Sequence, residues 1–246
     1  DGDGLQLTRS PRFHGQHVWT SRPGVAVHIN AFNFPAWGMG EKMACALLAG
    51  VPVIEKAGTA SAMLAHRLAQ IVVESGLLPE GSFQFVAGSV SGALDLLGPM
   101  DAVAFTGSAA TGALIRGNKN LIARNVRVNI EADSINPAVL GPDVESGSDT
   151  FEQFLANLTI DMTQKAGQKC TAVRRILVPT ERLSEVQEEL IERLRAVKLG
   201  NPLDNDVRMG PVASAEQLRD VRHGMERLQA VAATLLGGPA AVQPKG

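Results

Sequence analysis

Thiols are scarce in this chain: among its 246 residues only Cys45 and Cys170 are cysteines. They lie far apart with no C-x-x-C spacing, which excludes a disulfide scaffold and offers no structural zinc site, so no metal is expected. An excess of charge is missing as well. A formal net charge of -2 gives nucleic acid or an anionic membrane nothing to attract, and neither is expected as a partner. Long apolar runs are also absent. The longest, around Ala44 to Ile54, carries Gly50 and Pro52 and falls short of the roughly 20 residues that a membrane-spanning helix needs. A reducing cytoplasm is the expected compartment. There is no initiator Met and no basic, apolar leader, and the chain stops at Pro244-Lys245-Gly246 straight after a helical pattern, so we read it as a piece of a longer protein.

What is present is an α/β pattern. From Gly24 onward short β-rich runs alternate with longer helical ones, the mark of βαβ units and a parallel sheet. The expected strands are Val25 to Ile29, Val51 to Lys56, Phe83 to Ala87, Ala102 to Phe105 and Val126 to Ile130. Helices are expected near Gly38 to Leu48, Ala60 to Ser75, Val90 to Leu97 and Ala109 to Gly117, each ending near a Gly or polar turn. These elements describe a doubly wound, Rossmann-type domain over residues 24–133, preceded by a loop or hairpin lead-in over residues 1–23. A second α/β block covers residues 134–246. In it Pro137 to Leu140 and Arg175 to Val178 read as strands, and Asp149 to Thr163, Thr180 to Val197 and Ser214 to Leu236 as helices.

Several residues carry chemical possibilities beside plainer readings. Cys170 follows a Gly-Gln turn in Gly167-Gln168-Lys169-Cys170, and a tight turn can expose a sulfur beside backbone N–H donors; most cytosolic cysteines, however, are small buried hydrophobes. Cys45 sits in the apolar stretch Met43 to Leu48 and is expected to be core. Gly107-Ser108, after a strand and opening a helix that contains Gly112, is a generic phosphate cradle or simply a capping serine with two permissive glycines. Lys56 and Glu131 each end a strand, at the carboxyl edge where α/β sheets bind ligands, though either could be a solvated surface group.

Taken in order, these features resemble the aldehyde dehydrogenase superfamily over nearly the whole chain. Asn33-Phe34-Pro35 is similar to the family's N-[FY]-P, Lys56 to its strand-end lysine, and Phe105-Thr106-Gly107-Ser108 through Gly112 to its F-T-G-S-x-x-x-G. Glu131 with Asn136-Pro137 resembles the glutamate motif, Gly167 to Cys170 the G-Q-x-C motif, and Met209-Gly210-Pro211 the downstream [LM]-G-P. Two departures stand out. The usual E-L-G-G is here Glu131-Ala132-Asp133-Ser134, and the usual Lys-Pro pair is Lys56-Ala57. The first resembles the branch that oxidises CoA-linked semialdehydes in aerobic degradation of aromatic acids, and it bears on the backbone after Glu131, because glycine adopts conformations that Asp133 and Ser134 resist.

The resemblance implies a reaction. Cys170 would attack an aldehyde, Asn33 would hold the oxyanion, and Glu131 would activate the water that releases the acid. Lys56, Thr59, Gly107, Ser108 and Gly112 would bind a nicotinamide dinucleotide. In many NAD-preferring members the position three after the lysine is a glutamate that repels a 2′-phosphate; Thr59 stands there, so NADP is expected to be preferred, with NAD accepted. The substrate would be a small aldehyde, a CoA-linked one among the candidates, and the complete protein a homo-oligomer. Two alternatives remain: an acylating enzyme in which CoA replaces water, and a silent protein that keeps only the fold.

Overall fold

A computed structural model describes residues 4–90 and 92–238; Ser91 and the Pro244-Lys245-Gly246 end lie outside them. The chain divides into two compact units, Asp1–Ala132 and Asp133–Gly246.

The first unit opens with an antiparallel pair, β1 (Leu5–Gln6) and β2 (His14–Gly15), and continues into a five-stranded sheet. That sheet comprises β3 (Ala26–Ile29), β4 (Val53–Lys56), β5 (Phe83–Val86), β6 (Ala102–Gly107) and β7 (Arg127–Ala132), all parallel, in the order β5-β4-β3-β6-β7. The chain winds outward from β3 to β5, then returns to lay β6 on the other side of β3. Strand order therefore reverses between β3 and β6, and their carboxyl ends flank the crevice such sheets use for ligands.

Four helices serve this sheet: α1 (Pro35–Leu48), α2 (Ala62–Glu74), α3 (Ala109–Arg116) and α4 (Lys119–Ala123). The core is Val27, Val103 and Phe105 from the central strands packed with Leu97, Ile115, Leu121 and Val126. Period-two alternation sets the direction of β7: Val128 and Ile130 pack on that core, while Arg127, Asn129 and Glu131 are exposed on the opposite face.

The expected helix over Val90 to Leu97 is only a 3-10 turn, Ala93–Leu96, because Gly92 takes φ 82°, which no α-helix accommodates. Cys45 is exposed rather than core. The residues this helix buries, Gly38 and Met39, lie in its first half; its second half, from Glu41 to Leu48 and Cys45 with it, buries no residue.

The second unit contains a βα unit of its own. Strands β8 (Asn136–Val139) and β9 (Val173–Leu177) pair in parallel, joined through α5 (Asp149–Thr163), and α6 (Leu183–Arg195) and α7 (Ala215–Gln229) follow. Ser148 caps α5 by accepting from Phe151 N–H, and Asp149 and Glu152 in its first turn oppose the helix dipole. Phe151, Leu155 and Leu158 then pack on Leu140, Val186 and Leu190. The helix expected to run to Leu236 ends at Gln229.

Candidate active site

The candidate residues fall into two sets, one in each unit. In the first unit they gather at the carboxyl ends of neighbouring strands. Asn33 lies in the turn between β3 and α1, Lys56 ends β4, Gly107 ends β6 with Ser108 next, and Glu131 is the penultimate residue of β7. In the ladder Ile29 stands opposite Lys56, and Thr106 opposite Glu131, whose Oε2 accepts a long hydrogen bond from Thr106 Oγ1 at 3.5 Å.

Two close approaches need glycine here. A Cβ on Gly58 would stand 2.6 Å from the Phe32 nitrogen, so this glycine lets the loop after Lys56 lie on the segment leading to Asn33. A Cβ on Gly112 would come within 2.8 Å of Ile130, so that glycine sets α3 directly on β7. Gly112 is buried against Ile130, and its part is helix packing. Ser108 caps α3 by accepting from Thr111 N–H, leaving the N–H groups of Ala109 and Ala110 at a positive helix end. Thr59 is exposed in the 3-10 turn Thr59–Ser61 and makes no capping bond; Gly58 occupies the cap position.

Beneath these groups lies a polar cluster that sequence reasoning missed. Glu55 is fully buried, and its two oxygens are taken by different partners: His28 Nδ1 at 2.6 Å and Asn30 Nδ2 at 2.7 Å. His28 and Asn30 are 4% and 5% exposed, so the carboxylate is withdrawn from water and rests wholly on these two donors. An unpaired carboxylate at such depth would cost several kcal/mol. A trace of it is in the pattern: Glu55 interrupts the apolar run at Val53-Ile54, and His28 on the central strand β3 and Asn30 just past its end lie two residues apart. The cluster ties β3 to β4 just before each strand delivers Asn33 and Lys56.

In the second unit Cys170 carries a free, exposed thiol. The chain reaches it through three successive left-handed residues, Lys165, Ala166 and Gly167, with φ of 53°, 54° and 72°. Only the last is a glycine, and each of the others costs roughly 1 kcal/mol in that conformation. Side chains hold the loop in place. Asp161 accepts from Lys169 Nζ and from Val173 N–H, both at 2.7 Å. Arg174 donates to the carbonyls of Gly167 and Lys169 at 2.8 and 3.2 Å. Gln168 Oε1 accepts from Ala213 N–H at 3.0 Å, which ties the G-Q-K-C turn to the segment that follows Met209-Gly210-Pro211.

The loop is electropositive. The Lys169 ammonium, hydrogen-bonded to Asp161, holds that carboxyl below its ordinary value of 3.8, against the opposing effect of desolvation. Lys165 is held below its ordinary range by desolvation first and then by the like charge of Lys169, an effect that Cys170 opposes.

The backbone after Glu131 meets the departure from E-L-G-G directly. Asp133 adopts φ 52°, so the left-handed turn that glycine would make freely is kept by an aspartate, one of the few side chains that tolerate it. Ser134 and Asn136, just beyond, both donate to the carbonyl of Cys170.

This arrangement, a thiol on a tethered loop in one unit and a doubly wound sheet with a cationic strand end in the other, has counterparts among known proteins. The aldehyde dehydrogenase family profile matches residues 8–246. A 3,4-dehydroadipyl-CoA semialdehyde dehydrogenase from Aromatoleum evansii is 44% identical over 244 residues, covering 99% of this chain and 47% of that protein. An alpha-ketoglutaric semialdehyde dehydrogenase from Bacillus subtilis is 31% identical, over 87% of this chain and 43% of its own. Among solved structures, a mutant aldehyde dehydrogenase C from Pseudomonas syringae, complexed with NAD+ and octanal, superposes with a TM-score of 0.80 at 30% identity, covering 89% of this chain and 44% of that one. Betaine aldehyde dehydrogenase from Staphylococcus aureus in complex with NAD+ gives 0.76 at 30% identity, over 86% and 41%. The chain belongs to the aldehyde dehydrogenase family. It spans less than half the length of these relatives. Among the described residues, no helix is long and apolar enough to cross a membrane.

Proposed function

We propose that the protein of which this chain is part oxidises an aldehyde to its carboxylic acid through a thioester on Cys170. The observation that carries this reading is an exposed free thiol on a loop held rigid by side chains and flanked by lysines. The Cys170 thiolate adds to the aldehyde carbon, giving a thiohemiacetal whose oxyanion is held by the Asn33 side-chain amide and the N–H of Cys170. Loss of hydride leaves the thioester. Glu131 then takes a proton from water, which attacks the acyl carbon and frees the acid and the thiolate. An acceptor thiol such as CoA needs no such base, so Glu131 favours water as the acyl acceptor.

A nicotinamide dinucleotide, when bound, supplies the hydride acceptor. The residues of the first unit fit one: the crevice between the carboxyl ends of β3 and β6, the free N–H groups at the start of α3, and Lys56 at the neighbouring strand end. Ser108 and its helix N-terminus would hold the pyrophosphate, with Gly107 before them and Gly112 seating the helix. Lys56 would bind the adenosine ribose. Thr59 presents no carboxylate to a 2′-phosphate, so NADP is the preferred cofactor and NAD the weaker one.

The substrate class is a CoA-linked semialdehyde, such as 3,4-dehydroadipyl-CoA semialdehyde. Its support is the 44% relative of that name. The complete protein is a homo-oligomer, and two free cysteines suit a reducing cytoplasm.

In the full-length enzyme Cys170→Ala should abolish both acylation and turnover. Glu131→Gln should keep a burst of NAD(P)H near one per subunit and lose steady-state rate, since the water step follows acylation. Stopped-flow absorbance reads both, and a Cys170→Ala enzyme that still turns over would end the proposal.

A further inference from the structure

The carbonyl oxygen of Cys170 is held by two side chains from one short segment. The Ser134 hydroxyl donates to it, and Asn136 Nδ2 donates at 2.7 Å. The same amide reaches the carbonyl of Ala172 at 3.1 Å and lies 3.3 Å from Ser134 Oγ, which cross-links the two donors. A peptide carbonyl has two lone pairs, and both are now occupied. Asn136 also opens β8 and pairs with Val173 of β9, so the base of this clamp is a sheet ladder and its grip is on Cys170, three residues before β9 begins.

The left-handed turn at Asp133 directs Ser134 to this task. In the E-L-G-G pattern the position of Ser134 is a glycine, which has no side chain with which to hold anything. The departure therefore adds a bond that the common pattern cannot make, and it does so on the main chain of the proposed nucleophile.

We infer that Ser134, with Asn136, is a positioning residue for Cys170. Holding the carbonyl fixes the Cys170–Thr171 peptide plane, and with it the main chain from which the thiol is presented. The tethers from Asp161 and Arg174 act on Gly167, Lys169 and Val173, on either side, whereas the Ser134–Asn136 clamp acts on the main chain of Cys170 itself. The inference rests on Cys170 being the nucleophile.

The test uses the full-length enzyme and two substitutions, Ser134→Gly, which installs the residue the family pattern carries and so should fold, and Ser134→Thr, which keeps the hydroxyl. Ser134→Gly should slow the acylation burst about tenfold and slow alkylation of Cys170 by iodoacetamide, with the KM for the nicotinamide cofactor and the melting temperature unchanged. Ser134→Thr should restore both rates. A Ser134→Gly enzyme with the parent burst rate overturns the inference. So does a slow burst that follows a lost melting temperature and is not rescued by threonine, since that assigns the hydroxyl to stability alone. Cys170→Ala, run alongside, separates the two claims: if it still turns over, the nucleophile assignment falls, whereas a silent Cys170→Ala with a normal Ser134→Gly removes only the clamp.

Discussion

The strand ends of the first unit and the Cys170 loop of the second place chemical groups by opposite means. At β3 and β4 the main-chain ladder does most of the placing, and the side chains that reinforce it, His28, Asn30 and Glu55, are sealed from water. Around Cys170 the main chain is unfavourable, with Lys165 and Ala166 left-handed, and the placing falls to partly exposed side chains that grip carbonyls and N–H groups. A buried cluster makes position a property of the whole unit's stability. A set of surface tethers makes it a local property that can fail without unfolding anything.

The largest effect should come from breaking the buried cluster. Glu55→Ala strands His28 and Asn30 without partners inside the sheet, and removing one member of a buried pair typically costs about 3–5 kcal/mol. Urea unfolding should show that loss, accompanied by weakened cofactor binding, because the strand ends carrying Asn33 and Lys56 loosen together. A variant with parent stability would show that β3 and β4 are held by their ladder alone.

A smaller effect should follow from cutting a tether. Asp161→Asn keeps an acceptor for Val173 N–H and loses the ion pair to Lys169, a loss of about 1–2 kcal/mol for a partly exposed charged hydrogen bond. Its distinctive sign is with pH. Because the folded protein holds the Asp161 carboxyl below 3.8, its contribution is fully present above that value and disappears as pH falls through the lowered one. Between those limits the parent should lose stability that the Asn variant never had. At neutral pH the variant should also alkylate at Cys170 at a changed rate, while its urea midpoint moves less than that of Glu55→Ala; a midpoint shift as large as that of Glu55→Ala would erase the distinction between the two regions.

The smallest effect should be seen at Thr59, which neither the ladder nor a tether holds, since it is exposed and caps nothing. Thr59→Glu should leave stability within about 0.5 kcal/mol and move the ratio of kcat/KM for NADP over NAD toward NAD, as a carboxylate meets the 2′-phosphate. An unchanged ratio would remove Thr59 from cofactor selection.

Much of the fold was legible because the first unit obeys simple periods. Apolar runs such as Val25 to Ile29 and Ala102 to Phe105, separated by helical stretches, specify a parallel sheet whatever the remaining detail. The 3-10 turn at Ala93–Leu96 was not legible, since the apolar pattern there is helical and a single positive φ at Gly92 overrides it. Cys45 misled for a related reason: an apolar neighbourhood in sequence says which helix a residue joins, and only the packing of that helix says which face is covered. In the candidate site, Asn33, Lys56, Ser108, Glu131 and Cys170 could be singled out by motif and by their place at the ends of elements. Glu55 could be noticed only as a break in the apolar run at Val53-Ile54; its burial was not legible, because a buried carboxylate and a solvated one are the same letter.

The sequence by itself determined the family, the parallel α/β architecture and the list of candidate site residues, because these depend on periodicity and on short motifs whose spacing is covalent. Tertiary structure alone decided what holds those groups. Ser134 lies 36 residues from Cys170, Glu55 lies 27 from His28, and Gln168 lies 45 from Ala213. Hydrogen bonds across such separations exist only once strand register and loop closure have brought the partners together, and no local pattern encodes a distance in space.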